Sequence, residues 1–112
     1  MLRPIPTEEL ESISEDINAG RRIDFYKHHA HPDVRAMIAK TNHAPQAYIL
    51  DESPEVRLAL ICSGKWLDRI APIETNPILI LELIKNGQRQ KKWLHHENAS
   101  IRAALGGEIW KP

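Results

Sequence analysis

"HPDVRAMIAKTNHAPQAYILDESPEVRLALI", residues 31–61, states one phrase twice. "HPDVRAMIA" begins at residue 31 and "SPEVRLALI" at residue 53, and weaker copies follow as "NPILILELI" from 76 and "NASIRAALG" from 98. The starts are 22, 23 and 22 residues apart. Self-similarity at a fixed period of this size is the signature of a repeat architecture. Each copy opens with a residue suited to capping or turning: His31, Ser53, Asn76 or Asn98. Pro32, Pro54 and Pro77 follow in the first three copies and Ala99 in the fourth. Proline suits the first helical position because its missing N–H would be unbonded there and its φ is preset. A side-chain acceptor just before it can satisfy the open donors of the first turn. Asp33 and Glu55 then put negative charge where the helix dipole favours it. Four helices therefore start in one phase.

The gaps leave room for one more short helix per unit. Asn42 and Pro45 punctuate the first gap, with a helix expected from about 45 to 50. Gly64 ends the next long helix, and a short one is expected near 65–71 before Pro72. Asn86-Gly87 ends the third, followed by a helix expected over 88–96. Glycine or asparagine past a helix supplies the left-handed residue that closes it. Ahead of the repeats, "PTEELESISEDINAG" predicts a helix capped by Thr7 and stopped by Gly20, and "RRIDFYKHH" a second one. The expectation is one domain over 1–112: capping helices in 1–30, repeat units in 31–105 and a tail in 106–112. Residues 56–62 and 78–84 are apolar on more than one face, so each such helix needs cover on several sides. Stacked helical pairs give that cover.

Composition narrows the function classes. The hydrophobic fraction is 42% and the charged fraction 27%, the balance of a folded rather than a disordered chain. Lys+Arg and Asp+Glu are both 15, so no bulk charge demands a nucleic acid or a membrane. The ends differ, however. Residues 8–16 carry Glu8, Glu9, Glu11, Glu15 and Asp16 with no base, whereas 85–96 carry Lys85, Arg89, Lys91 and Lys92 with no acid. "MLRPIPTEEL" lacks the apolar core of a secretory signal, and "PILILELI" is too short to span a bilayer, so a cytoplasmic protein is expected.

These phrases resemble the leucine-rich repeat variant and, more broadly, the HEAT-like and ARM-like α-solenoids. Those units share an Asp/Ser-Pro-x-Val-Arg opening, and the variant adds Asn-x-x-Pro, here Asn42 to Pro45. The likeness is best over residues 31–62 and extends to about 105; the third copy has no arginine at the matching point. It implies an all-α, short right-handed solenoid of stacked hairpins used as a binding surface, with no catalytic residue to carry over. The iron–sulfur module that accompanies one such family needs several cysteines, and this chain has only Cys62.

Arg35, Arg57 and Arg102 stand four residues after their caps. They are expected to pair with an acid of the adjoining unit (Asp33, Asp51, Glu52 or Glu55) or to form an anion-binding row along one face. In "GQRQKKWLHHEN", a helix over 88–96 would spread Arg89, Lys92 and His96 along one face beside Trp93, basic groups and an aromatic that could hold phosphate and a base. The alternative is a solvated face with Trp93 packed inward. Trp66, Trp93 and Tyr48 stand at comparable points of their units, which favours packing. Zinc would need three or four convergent ligands. His28, His29, His31, His95 and His96 offer no such framework, so no metal or other cofactor is expected. Cys62, in "LALIC", reads as a small buried hydrophobe. Ser63 has a neighbouring glycine but no G-x-S-x-G around it, and no glycine-rich phosphate loop exists, so an enzyme is not expected. The function expected is a non-catalytic protein-binding module (adaptor, inhibitor or immunity-type) that uses Arg35, Arg57, Arg89, Lys92, Trp93 and Arg102. The alternative is a nucleic-acid binder with Arg89, Lys91, Lys92 and Arg102 on one face.

Overall fold

The computed structural model describes residues 3–41 and 43–105. The expectations for Asn42 and for the tail at 106–112 lie outside these residues. The described chain is all helical, without a β-strand. In order it runs α1 (Thr7–Asn18), α2 (Ile23–Tyr26), α3 (Pro32–Ala39), the 3-10 helix η1 (Gln46–Leu50), α4 (Pro54–Cys62), α5 (Leu67–Ile70), α6 (Pro77–Lys85), the 3-10 helix η2 (Lys91–His95) and α7 (Ala99–Ala104). Long and short helices thus alternate. The main contacts link successive long helices, α1 to α3, α3 to α4, α4 to α6 and α6 to α7. The molecule is correspondingly elongated, 50 × 27 × 18 Å. Its radius of gyration is 16.1 Å, against about 13 Å for a compact domain of this length.

The helix starts follow from the local sequence. His31 Nδ1 accepts from the Asp33 amide at 3.1 Å. Asn76 Oδ1 accepts from Ile78 at 2.9 Å, and Asn98 Oδ1 from Ser100 at 2.8 Å. Ser53 holds the same extended backbone without a side-chain bond. Pro32, Pro54 and Pro77 each occupy the first turn. Gly20, Gly64 and Gly87, at φ of +73°, +80° and +90°, close α1, α4 and α6. In all three the next amide reaches five residues back, Arg21 to Asp16, Lys65 to Leu60 and Gln88 to Leu83, which satisfies the open carbonyls of the last turn.

Several local expectations are corrected. Thr7 lies inside α1; Pro6 stands at the cap and makes no side-chain bond. The helix expected over 21–29 shrinks to Ile23–Tyr26, because Arg22 sits at φ 57°, outside the helical region. Trp66, at φ 60°, likewise delays α5 to Leu67. The segment over 88–96 is helical only from Lys91 to His95, and as a 3-10 turn. Cys62 is exposed. It falls in the last turn of α4, at the open edge between the long helices.

The core is a set of columns at fixed offsets from each start. Val34, Val56, Leu79 and Ile101 form one, and Ile38, Leu60, Leu83 and Leu105 another; all are buried. The short helices contribute a third, Tyr26, Tyr48, Ile70 and Trp93, also buried. Full burial of one such aliphatic side chain contributes roughly 1.5–3 kcal/mol. The repeat in the sequence is therefore a repeat of packing positions.

Candidate functional site

Each inner seam is tied by an arginine. From α3, Arg35 forks onto Asp51, Nε to Oδ2 at 2.9 Å and Nη2 to Oδ1 at 3.1 Å. Its Nη1 donates to the carbonyls of His29 at 2.7 Å and Ala30 at 3.0 Å. From α4, Arg57 forks onto Glu74 at 2.9 and 3.3 Å, and its Nη1 donates to the Asp51 carbonyl at 2.7 Å. Both carboxylates also accept backbone amides just before the next long helix. Asp51 takes the Ser53 N–H at 2.9 Å; Glu74 takes those of Thr75 and Asn76, each at 3.1 Å. Each rung therefore locks the start of one unit to the helix of the unit before. The side chains are 12% and 8% exposed in the first pair and 18% and 3% in the second. Asp51 holds Arg35 more strongly in its charged form than burial opposes it, so the guanidinium is pushed above its ordinary range.

Asp51 was among the acids expected for pairing; Glu74 was not. The signal was present, since Glu74 stands two residues before Asn76 as Asp51 stands two before Ser53. In the outer units that position holds His29 and His96. Their Nδ1 atoms accept the same amide, from His31 at 2.9 Å and Asn98 at 3.0 Å. The preceding helices carry Ile13 and Ile80 where an arginine would sit, so these seams have no fork. Arg102 is exposed and bonds the His96 carbonyl through Nη1, with no carboxylate in ion-pair reach among the described residues.

The basic segment is more dispersed than expected. Arg89 precedes η2 and donates to the carbonyls of Ile84 at 3.1 Å and Gln88 at 2.8 Å. Lys92 is exposed on η2, and its Nζ donates to the Pro72 carbonyl. Trp93 is 1% exposed, so of the two expectations for it, inward packing is the one found. It shares its column with Tyr26, Tyr48 and Ile70. Trp66 stands elsewhere in its unit, at the head of α5, with the Arg69 guanidinium 5.4 Å from its ring centroid. The fixed buried ring of Tyr48 donates its hydroxyl to the Lys27 carbonyl at 2.7 Å, and burial pushes that phenol far above its usual range.

The apolar surfaces were not singled out by the sequence. On the long helices a groove of about 520 Å³ is lined by Leu10, Ala36, Met37, Leu58, Ala59 and Cys62, with Asp33, Glu55 and Lys40 at its rim. Ile78, 69% exposed, continues it onto α6 beside Leu58. On the short helices Leu50 and Ile73 are 78% and 49% exposed and line a second furrow. The periodic apolar pattern marks a helix face without telling whether a neighbour covers it. Partial burial and the nearby Glu82 push the Cys62 thiol upward, Sγ lying 3.9 Å from Glu82 Oε1.

Among the described residues no three His, Cys, Asp or Glu side chains converge as metal ligands would. His28 and His95 are exposed at separate ends, while His29, His31 and His96 accept backbone amides. No described helix is long and apolar enough to cross a membrane. In comparisons with known proteins, the chain matches no family model, no curated protein and no solved structure.

Proposed function

We propose that the chain is a HEAT-like solenoid of the leucine-rich repeat variant type, acting as a small non-catalytic protein-binding module of the cytoplasm. In this role it is an adaptor, inhibitor or immunity-type protein that offers the face of its long helices to a partner. The observation that carries the reading is the groove of about 520 Å³, whose lining comes from three successive long helices and is apolar apart from its rim. Contiguous exposed apolar surface rimmed by charge is the usual mark of a protein contact. The in-phase helix starts and the fork-tied seams support the repeat assignment. With Arg35 and Arg57 engaged inside the stack, the energy of binding falls to a few groove side chains, Met37 and Leu58 first.

Cys62 gives the test, as the chain's one cysteine and a lining residue of the groove. A photo-crosslinker attached to its thiol is expected to trap one protein in host extract. The adduct should vanish with excess unlabelled chain and with Leu58→Asp, yet persist with Arg102→Gln. Trapping that ignores both the competitor and Leu58→Asp would overturn the reading. Retardation of an oligonucleotide at low salt, lost as salt rises, would instead favour the nucleic-acid alternative through Arg89, Lys91 and Lys92.

A further inference from the structure

The short helices carry a second surface, separate from the groove of the long ones. Three residues before each long-helix start stand His28, Leu50, Ile73 and His95, all exposed. The position is apolar only in the two central units. There Leu50 and Ile73 face each other across a furrow of about 490 Å³ that also touches Gln46, Ala47, Ile49 and Arg69. It runs on into a smaller space of about 260 Å³ that shares Ile49, Leu50 and Ile73 and ends at the Arg57–Glu74 pair. Ile49 is buried beneath. An apolar floor between two exposed aliphatic walls costs free energy while it faces water.

The charges that line this furrow are Arg57, Glu74 and Arg69. Arg69 is exposed, braced over the Trp66 ring, and has no carboxylate in ion-pair reach among the described residues. Lys92 bonds the Pro72 carbonyl from η2 and lines neither part of the furrow. The one carboxylate lining the furrow is Glu74, and its oxygens are taken by Arg57 and by the Thr75 and Asn76 amides. Glu52 and Asp68, exposed on the same units, line neither part of the furrow. What remains is an apolar slot whose one lining charge without an ionic partner is the Arg69 guanidinium.

We infer that the furrow between η1 and α5 docks an acidic peptide segment of a partner protein, with apolar side chains between Leu50 and Ile73 and a carboxylate on Arg69. Arginine favours this chemistry because its planar fork matches a carboxylate. Apolar walls favour a peptide over a nucleic acid, whose backbone offers phosphate but no aliphatic side chain. The inference concerns other residues than the groove that carries the proposed function, so either can fail alone.

Fluorescence anisotropy tests it with a fluorescein-labelled peptide of alternating leucine and glutamate. Companion probes carry lysine for glutamate or serine for leucine, and a labelled oligothymidylate and phosphatidylserine vesicles stand for the other partner classes. The leucine–glutamate peptide is expected to bind. Its dissociation constant should rise about tenfold in Leu50→Ser and in Arg69→Gln, as for side chains central to a small interface. Leu58→Asp in the groove should leave it unchanged. All three positions are exposed or half-buried, and circular dichroism confirms that the variants fold. Equal binding of the lysine or serine peptides, tighter binding of oligothymidylate or vesicles, or indifference to Leu50→Ser and Arg69→Gln would each overturn the inference.

Discussion

The inner and outer seams of the molecule solve one problem with different chemistry. In each of four units, the residue two before the long helix accepts that helix's leading amide through a side chain. At the inner seams the acceptor is Asp51 or Glu74, and an arginine from the preceding helix binds it as well. At the outer seams it is His29 or His96, which takes the amide alone. The acid and the arginine therefore occur together, and where the helix offers Ile13 or Ile80 a histidine suffices. A lone carboxylate, half-buried and unpaired, would carry a desolvation cost that the imidazole avoids. The comparison teaches that Arg35 and Arg57 are tied to the acids of the next unit, while Leu50 and Ile73 stay exposed and Met37 and Leu58 half-buried.

The largest effect should come from breaking an inner rung. Glu74→Ala strands the Arg57 fork and two amides in a buried setting, and is expected to cost about 3–5 kcal/mol, a large part of the stability of a chain this size. Urea denaturation followed by circular dichroism reads this, and a cost below about 1 kcal/mol would make the inner seams no different from exposed ion pairs.

A smaller effect, also at an inner seam, concerns alkaline pH. The Tyr48 phenol is pushed up by burial, so folding favours its protonated form. Its contribution is fully present below the unfolded value of about 10 and is lost as pH rises toward the folded value. Stability should fall above about pH 10, and Tyr48→Phe should flatten that limb while losing the bond to Lys27. An unchanged alkaline limb would contradict the prediction.

The smallest effect is expected at the outer end. Arg102→Gln removes a single exposed guanidinium bond to the His96 carbonyl and should cost no more than about 1 kcal/mol by the same denaturation. A loss as large as that of Glu74→Ala would erase the contrast between the seams.

Much of the scaffold was legible because it depends on local chemistry. Proline in the first turn of three long helices, His31, Asn76 and Asn98 as caps, and Gly20, Gly64 and Gly87 behind fix the helix ends within the chain itself. The short helices were overestimated because Arg22 and Trp66 adopt left-handed backbone that neither residue type advertises. Glu74 was missed because the extra residue in its unit obscured the register that Asp51 follows. The exposed faces were the least legible. Ile78 and Ile80 look alike in the sequence, yet one is 69% exposed and the other 1%, a difference set by which neighbour each side meets. Cys62 went astray for the same reason.

The rung itself can be measured most directly by a double-mutant cycle on Arg57 and Glu74, with Arg57→Met, Glu74→Gln and the pair compared by urea denaturation. If the arginine row belongs to the stack, the coupling energy should reach about 2 kcal/mol or more, as for a buried, multiply bonded pair. A coupling under about 0.5 kcal/mol would place Arg57 among ordinary surface charges and contradict its role as a tie between units.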